Sequence, residues 1–294
     1  MGHEHRLREA LSLLCYAVPA STTALLALAL LLDSTELWVA LTSLGEEVAY
    51  VGLALVVMYL VDPLVGLLTL GMVLLSGSVN VALKYSLNAP RPPPERWRVP
   101  AEGPGFPSGH TQVSTSFWSG LAVLTLRRCA VLLALAVPLA VATSRVALGV
   151  HSVGDVIGGY VIGVAISVAS AYLGKRLGRL SLLTVYGLAV ATSSISIRLG
   201  YEPGTSSSIL GLSLGLLLLT PRADYFVRTV RSMGLARRFL ALATSATISL
   251  ITLHLSRHAG PLARVLAYLL LALAIGAVPG VLKRVGLGTA TRPP

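Results

Sequence analysis

CAVLLALAVPLAVATSRVALGVHSVGDVIGGYVIGVAISVASAYL, residues 129–173, decides the fold. Two apolar blocks, 129–143 and 156–173, flank a short polar segment that carries Arg145, His151 and Asp155. With its flanks, each block approaches the roughly 20 residues a helix needs to cross a bilayer. In lipid only helices and closed barrels satisfy their own backbone, and the alternation of barrel strands is missing here. The same composition runs outward along the chain, through 117–126 and beyond. Of its 294 residues 54% are hydrophobic and 12% charged, about half the roughly 25% charge of soluble domains. These features predict an all-α fold, a polytopic membrane helix bundle.

About ten spans are expected: 10–32, 46–61, 64–86, 109–126, 129–148, 153–174, 180–197, 206–220, 239–255 and 261–282. Asp62-Pro63 separates the second from the third, and Pro90–Pro107 forms the longest interior polar loop. Residues 34–45 are too short to span and are assigned to the membrane interface. The apolar stretch 10–32 exceeds the h-region of a signal peptide, about 7–15 residues, so it reads as a retained first helix. Cys15 and Cys129 lie in or beside apolar runs and read as packing residues, neither a disulfide framework nor a metal site.

The net charge of +11 would suggest nucleic acid in a soluble protein. Here no basic face is interleaved with exposed aromatics that could stack on bases, and the cations flank the spans. With a cytoplasmic N-terminus, 15 Lys and Arg fall on the inner side and 8 on the outer. The positive-inside rule therefore places both termini in the cytoplasm of a multi-pass cell-membrane protein, with the proline-rich loop outside.

Helix parity alone then gathers the polar residues on that outer face. The third span ends at Lys84, followed by Arg91; the fourth begins at Pro107-Ser108-Gly109-His110; the fifth ends at Arg145; the sixth begins at His151 and Asp155. Charge at membrane depth is costly and generally functional. Several fixed cations suit a phosphate, whose charge is spread over several oxygens. Arg91 and Arg145 offer planar forks, and Lys84 a point charge. Ser108 and Gly109 at a helix start form an anion seat, Ser108 as a cap and Gly109 allowing close backbone approach. His151 precedes Asp155 by four residues, so the carboxylate can orient its ring for attack on phosphorus. His110, with no carboxylate nearby in sequence, is assigned the protonation of the leaving oxygen. A turn near Gly149 is required to bring Arg145 and His151 to one place.

Lys84-x6-Arg91-Pro92, Pro107-Ser108-Gly109-His110 and Ser144-Arg145-x5-His151-x3-Asp155 together resemble the three signature motifs of the type 2 phosphatidic acid phosphatase superfamily. The resemblance covers residues 10–176, and it implies a six-helix catalytic core over 1–176. Residues 177–294 would then add about four membrane helices of unknown role. It implies His151 as nucleophile, Asp155 as its partner, His110 as general acid, and Lys84, Arg91, Ser108, Gly109 and Arg145 as phosphate ligands. It further implies a metal-independent phosphatase without cofactor, acting on a lipid phosphate or polyprenyl diphosphate through a phosphohistidine. A phosphotransferase passing the phosphate to an alcohol, or a non-catalytic lipid-binding or transport protein, are the alternatives. The other partners expected are membrane lipids; no oligomeric state is legible.

Several residues carry two readings. Asn80, one turn before Lys84, either lines the pocket or makes a polar packing contact. Glu46 and Glu47 open the second span on the active side and either contact the site or mark the membrane boundary, the boundary being preferred. His3 and His5 read as solvated; His254 and His258 read as interfacial anchors or as rim residues; and the arginines of 222–238 read as determinants of topology rather than a regulatory site.

Overall fold

The computed structural model describes residues 2–285, with side chains at residue 13 and from residue 15 onward. The side chains of His3, His5, Arg6 and Arg8, and the whole of Arg292, lie outside this described part. The regular structure of the described residues is all helical, without a strand. Its α-helices are α1 (Gly2–Leu32), α2 (Thr35–Ser43), α3 (Glu47–Val56), α4 (Pro63–Leu87), α5 (Gly109–Thr125) and α6 (Arg128–Ala147). They continue as α7 (Val153–Leu177), α8 (Leu180–Arg198), α9 (Pro203–Leu219), α10 (Ala223–Ser232), α11 (Leu235–Ser256) and α12 (Pro261–Val285). A π-helical turn, Val57–Val61, prolongs α3. The expected break at Asp62-Pro63 follows it. Asp62 Oδ1 accepts from the amides of Leu64 and Val65 at 2.9 and 3.1 Å, and Pro63 opens α4.

Eight helices are long and apolar enough to span a bilayer, and counting α2 with α3 and its π turn as one bent span makes nine. α5, with 17 residues, lies at the short end of the roughly 17–25 that can cross, and with it the count reaches the expected ten. That is about 26 Å at 1.5 Å per residue, against a core of about 30 Å. Its Thr111, Gln112, Ser114, Thr115, Ser116 and Ser119 are buried, so it sits among other helices rather than against lipid. Residues 35–43 form α2, which meets α3 across a bend of 47°. The reading of the cysteines is corrected. Cys15 of α1 and Cys129 of α6 form a disulfide, Cα atoms 5.6 Å apart and 114 residues apart in sequence. That separation is why neither spacing nor count announced it.

The chain packs as two compact units, Met1–Val51 with Val79–Tyr172, and Gly52–Ser78 with Leu173–Pro294. Each is closed by a Gly-x3-Gly face, since small residues are what let helix backbones approach in lipid. In the first unit Gly159 and Gly163 of α7 lie on α5. A Cβ at 159 would stand 2.6 Å from Ser108 O, and one at 163 would stand 2.6 Å from Gln112 O. In the second, Gly211 and Gly215 of α9 meet α12, where added Cβ atoms would stand 2.2 Å from Val265 O and 2.6 Å from Ala272 Cβ. Tyr186 is buried in this second unit and donates to Leu67 O at 2.7 Å.

The atoms that Gly163 approaches include backbone, which cannot move aside cheaply. Gly163→Ala is therefore expected to destabilise the protein by about 1–3 kcal/mol, the range for overpacking. Gly187→Ala, with open space around it, should be neutral or slightly stabilising. Thermal unfolding of the two variants in detergent checks this, and equal melting temperatures would contradict the α5–α7 contact.

Candidate functional site

Every candidate residue lies in the first unit. The site grows from the turn between α6 and α7. α6 ends at Ala147, and Gly149 adopts φ +76°, a left-handed conformation that favours glycine. Position 149 also faces Arg96 O, which a Cβ would approach to 1.9 Å, so the proline-rich loop sits directly on this turn. Arg98 N donates to Leu148 O at 2.9 Å, and the Arg98 guanidinium holds both oxygens of Asp33 at 2.8 Å. Those bonds keep the Asp33 carboxyl at about 2, below the usual range, first through Arg98 and next through the Trp38 indole.

The turn delivers His151 to the start of α7, where Ser152 and Asp155 form a capping box. Asp155 N donates to Ser152 Oγ at 3.2 Å, and Ser152 N donates to Asp155 Oδ2 at 2.8 Å. The same Oδ2 lies 3.4 Å from His151 Nδ1. Asp155 is thus fixed by the helix terminus and in turn orients the imidazole. On the other side of the ring, Arg91 Nη1 stands 3.0 Å from His151 Nε2. A guanidinium can only donate, so Nε2 carries the lone pair and Nδ1 the proton that faces Asp155. His151 is 3% exposed. Burial, reinforced by Arg91, Arg145 and Lys84 and opposed by Asp155, lowers it from the ordinary histidine range to about 4. The ring is therefore neutral at neutral pH.

The cations differ in what holds them. Arg91 knits the loop to the turn through three carbonyls: Gly103 O at 2.9 Å, Glu102 O at 2.7 Å and Val150 O at 2.8 Å. Arg145, in the last turn of α6, is 8% exposed and donates from Nη1 to Thr42 Oγ1 at 3.1 Å. Its Nε is buried without a protein partner. Lys84, in the last turn of α4, is near enough to act electrostatically on His151.

Ser108 occupies the N-cap position of α5, but its hydroxyl does not cap. It pairs with Thr111 Oγ1 at 3.1 Å, and Ser108 N donates to Asp155 O at 3.0 Å, tying this turn to α7. The donors this helix start can offer are therefore the first-turn amides that follow, at Gly109 and His110, which have no intrahelical acceptor. A Cβ at 109 would lie 2.9 Å from Asn80 Oδ1 and 3.3 Å from Glu47 Oε1. Asn80 braces this turn, donating to Pro107 O at 3.2 Å and to Gln112 Oε1 at 2.9 Å.

Sequence reasoning missed the bend between α2 and α3. It supplies Thr42 to Arg145, Glu47 beside Gly109, and Glu46, whose Oε1 lies 3.4 Å from His110 Nε2. Of the two readings of Glu46, contact with a candidate site residue is the one this distance favours. The signal available was only the polarity of Glu46-Glu47 between apolar runs, because a bend leaves no trace in hydropathy. Among the described residues no three His, Cys, Asp or Glu side chains cluster as metal ligands.

No curated protein and no solved structure matches the chain. A family model does. Its 65–179 match spans the segment that holds Lys84, Arg91, Ser108, Gly109, His110, Arg145, His151 and Asp155, and this segment belongs to the PAP2 superfamily.

Proposed function

We propose that the protein is a membrane phosphatase that releases phosphate from a lipid phosphate or polyprenyl diphosphate by way of a phosphohistidine. Membership of the PAP2 superfamily and the many apolar helices support a membrane phosphatase in general. The observation that carries the finer reading is the buried Arg145, whose Nε lacks a protein acceptor beside a neutral, oriented His151. Buried guanidinium donors left unmade are costly, and a phosphate oxygen is the acceptor that fits.

In this reading His151 Nε2 attacks phosphorus while Asp155 receives the growing positive charge through Nδ1–H. Arg145, Lys84 and the amides of Gly109 and His110 hold the equatorial oxygens, where charge accumulates in the transition state. Arg91 exchanges its Nη1 contact with Nε2 for a phosphate oxygen when substrate enters, which uncovers the nucleophile. Ser108 serves by locking the turn to Asp155. His110 protonates the leaving oxygen and then activates water. The substrate's apolar tail stays in the bilayer, and residues 177–294 are assigned as additional membrane helices. The site is assigned to the extracytoplasmic face and both termini to the cytoplasm, on the distribution of Lys and Arg.

Purified protein in EDTA is expected to release phosphate from phosphatidic acid or a polyprenyl diphosphate, and His151→Ala to lower the rate by about 10³-fold or more. Wild-type protein inactive on every lipid phosphate would end the proposal, and full activity in His151→Ala would remove the nucleophile assignment. Because burial favours the uncharged ring, His151 loses its proton at lower pH than an ordinary histidine. ¹⁵N-histidine NMR, with His151→Ala identifying the resonance, should show an Nδ1–H tautomer that titrates near pH 4. A midpoint in the ordinary range near 6.5 would contradict the buried-ring picture.

The Cys15–Cys129 bridge lies at the end marked by Arg127 and Arg128, assigned here to the cytoplasm. Disulfides are uncommon in mesophile cytosol and frequent inside hyperthermophile cells. After reduction, the two thiols should react in intact cells with a membrane-permeant maleimide and resist an impermeant one. The reverse labelling would invert the topology.

A further inference from the structure

The bend between α2 and α3 is built against two side chains, Val141 and His110. Position 45 must be small: a Cβ there would lie 2.7 Å from Val141 Cγ1, 3.0 Å from His110 Cβ and 3.1 Å from His110 Cδ2. The bend is also tied to α5 one turn beyond His110. The Tyr50 hydroxyl stands between Leu44 O and Ser114 Oγ, 2.8 Å from the latter, and receives Trp118 Nε1–H at 3.3 Å. Residues 110 and 114 share a helix face. Glu46, next in the chain after Gly45, is thereby held with its carboxylate at the His110 ring, 3.4 Å from Nε2. The charged groups around this pair are Glu47, near Gly109, and Arg145, which acts electrostatically on Glu46.

We propose that Glu46 is a positioning residue for the general acid, holding His110 Nε2–H so that Nδ1–H is presented to the oxygen that leaves. The inference rests on the phosphatase reading above and adds to it a carboxylate–histidine pair on the leaving-group side, counterpart to Asp155–His151. In the first step the Nε2 lone pair of His151 forms the N–P bond. The P–O bond to the alcohol or phosphate leaving group breaks with its electron pair, and the Nδ1 proton of His110 moves to that oxygen. His110 is then neutral with its remaining proton on Nε2, still facing Glu46. This is the tautomer whose Nδ1 lone pair can take a proton from water. In the second step water oxygen bonds to phosphorus, Nδ1 takes the water proton, and the N–P pair returns to His151 as phosphate departs. Without Glu46 the neutral ring can carry its proton on either nitrogen and turn about its side-chain bonds.

A leaving group that needs no proton makes such a residue dispensable, which gives the test. kcat/KM of wild type and Glu46→Gln is compared on a long-chain alkyl phosphate and on 2,4-dinitrophenyl phosphate, whose phenolate departs unprotonated. Glu46→Gln is expected to lose about 10- to 100-fold on the alkyl phosphate, part of the roughly 10²–10⁴ of general-acid catalysis. On the dinitrophenyl ester it should stay within about twofold of wild type, with unchanged inhibition by vanadate. Glu46→Asp should recover part of the alkyl phosphate rate. Equal losses on both esters, or weakened vanadate inhibition, would make Glu46 a structural or phosphate-binding residue and overturn the proposal, as would no loss on either. The underlying reading fails separately: His110→Ala would then keep full activity on the alkyl phosphate, whatever Glu46→Gln does.

Discussion

The close approach of α7 to α5 is the constraint on which the candidate site depends. Gly159 lies against Ser108 O and Gly163 against Gln112 O, so the two helix starts are brought to backbone distance. At that distance Ser108 N reaches Asp155 O at 3.0 Å, and the turn carrying Gly109 and His110 is locked to the turn carrying His151. A bulkier side chain on α7 would separate the helices and, with them, the first turn of α5 from the imidazole. The hydrogen bonds that follow are consequences: Asn80 bracing Pro107 and Gln112, and Arg91 gripping the loop and the turn. In lipid there is no hydrophobic gain from pressing helices together, so such packing has to come from shape.

Around this frame the electrostatics are unbalanced in a particular way. Lys84, Arg91 and Arg145 surround a histidine whose burial already opposes a positive charge. The one carboxylate in contact with that ring, Asp155, is engaged by Ser152 N as well as by His151. Arg91 has its donors on backbone carbonyls, whereas Arg145 keeps a buried Nε without one. Positive charge therefore exceeds negative at the His151 side of the site. On the His110 side the balance reverses, with Glu46 and Glu47 beside the first turn of α5. In the proposed reaction this polarity separates the place where phosphate is held from the place where a proton is handed on.

Much of this was legible from residues 129–173 and their counterparts, for definite reasons. Membrane spans announce themselves through composition, and the parity of spans sends Lys84, Ser108, Arg145 and His151 to one end. The His151–Asp155 pair follows from i, i+4 spacing. Ser152-x2-Asp155 is a capping-box signature, although its hydrogen bonds emerged only with coordinates. The bend between α2 and α3 was not legible, because hydropathy averages over it and Gly45 has no signature of its own. Nor was the role of Glu46: its partner is 64 residues away, and no local pattern links them. Ser108 shows the opposite error. Its type and position fit a cap, but the hydroxyl of Thr111 offers it a nearer partner.

The Cys15–Cys129 bond changes what kind of chain folds. While it is intact, the unfolded protein is a ring with tails, and closing a loop of this size lowers its conformational freedom by about 4–5 kcal/mol in the chain-entropy description. The ring contains Lys84, Arg91, Ser108, Gly109 and His110, along with Glu46. Arg145, His151 and Asp155 lie on the tail that leaves it at Cys129. The candidate site is therefore a seam, closed each time the tail lays α7 onto α5, and the search for that closure starts from a tether only 22 residues from His151.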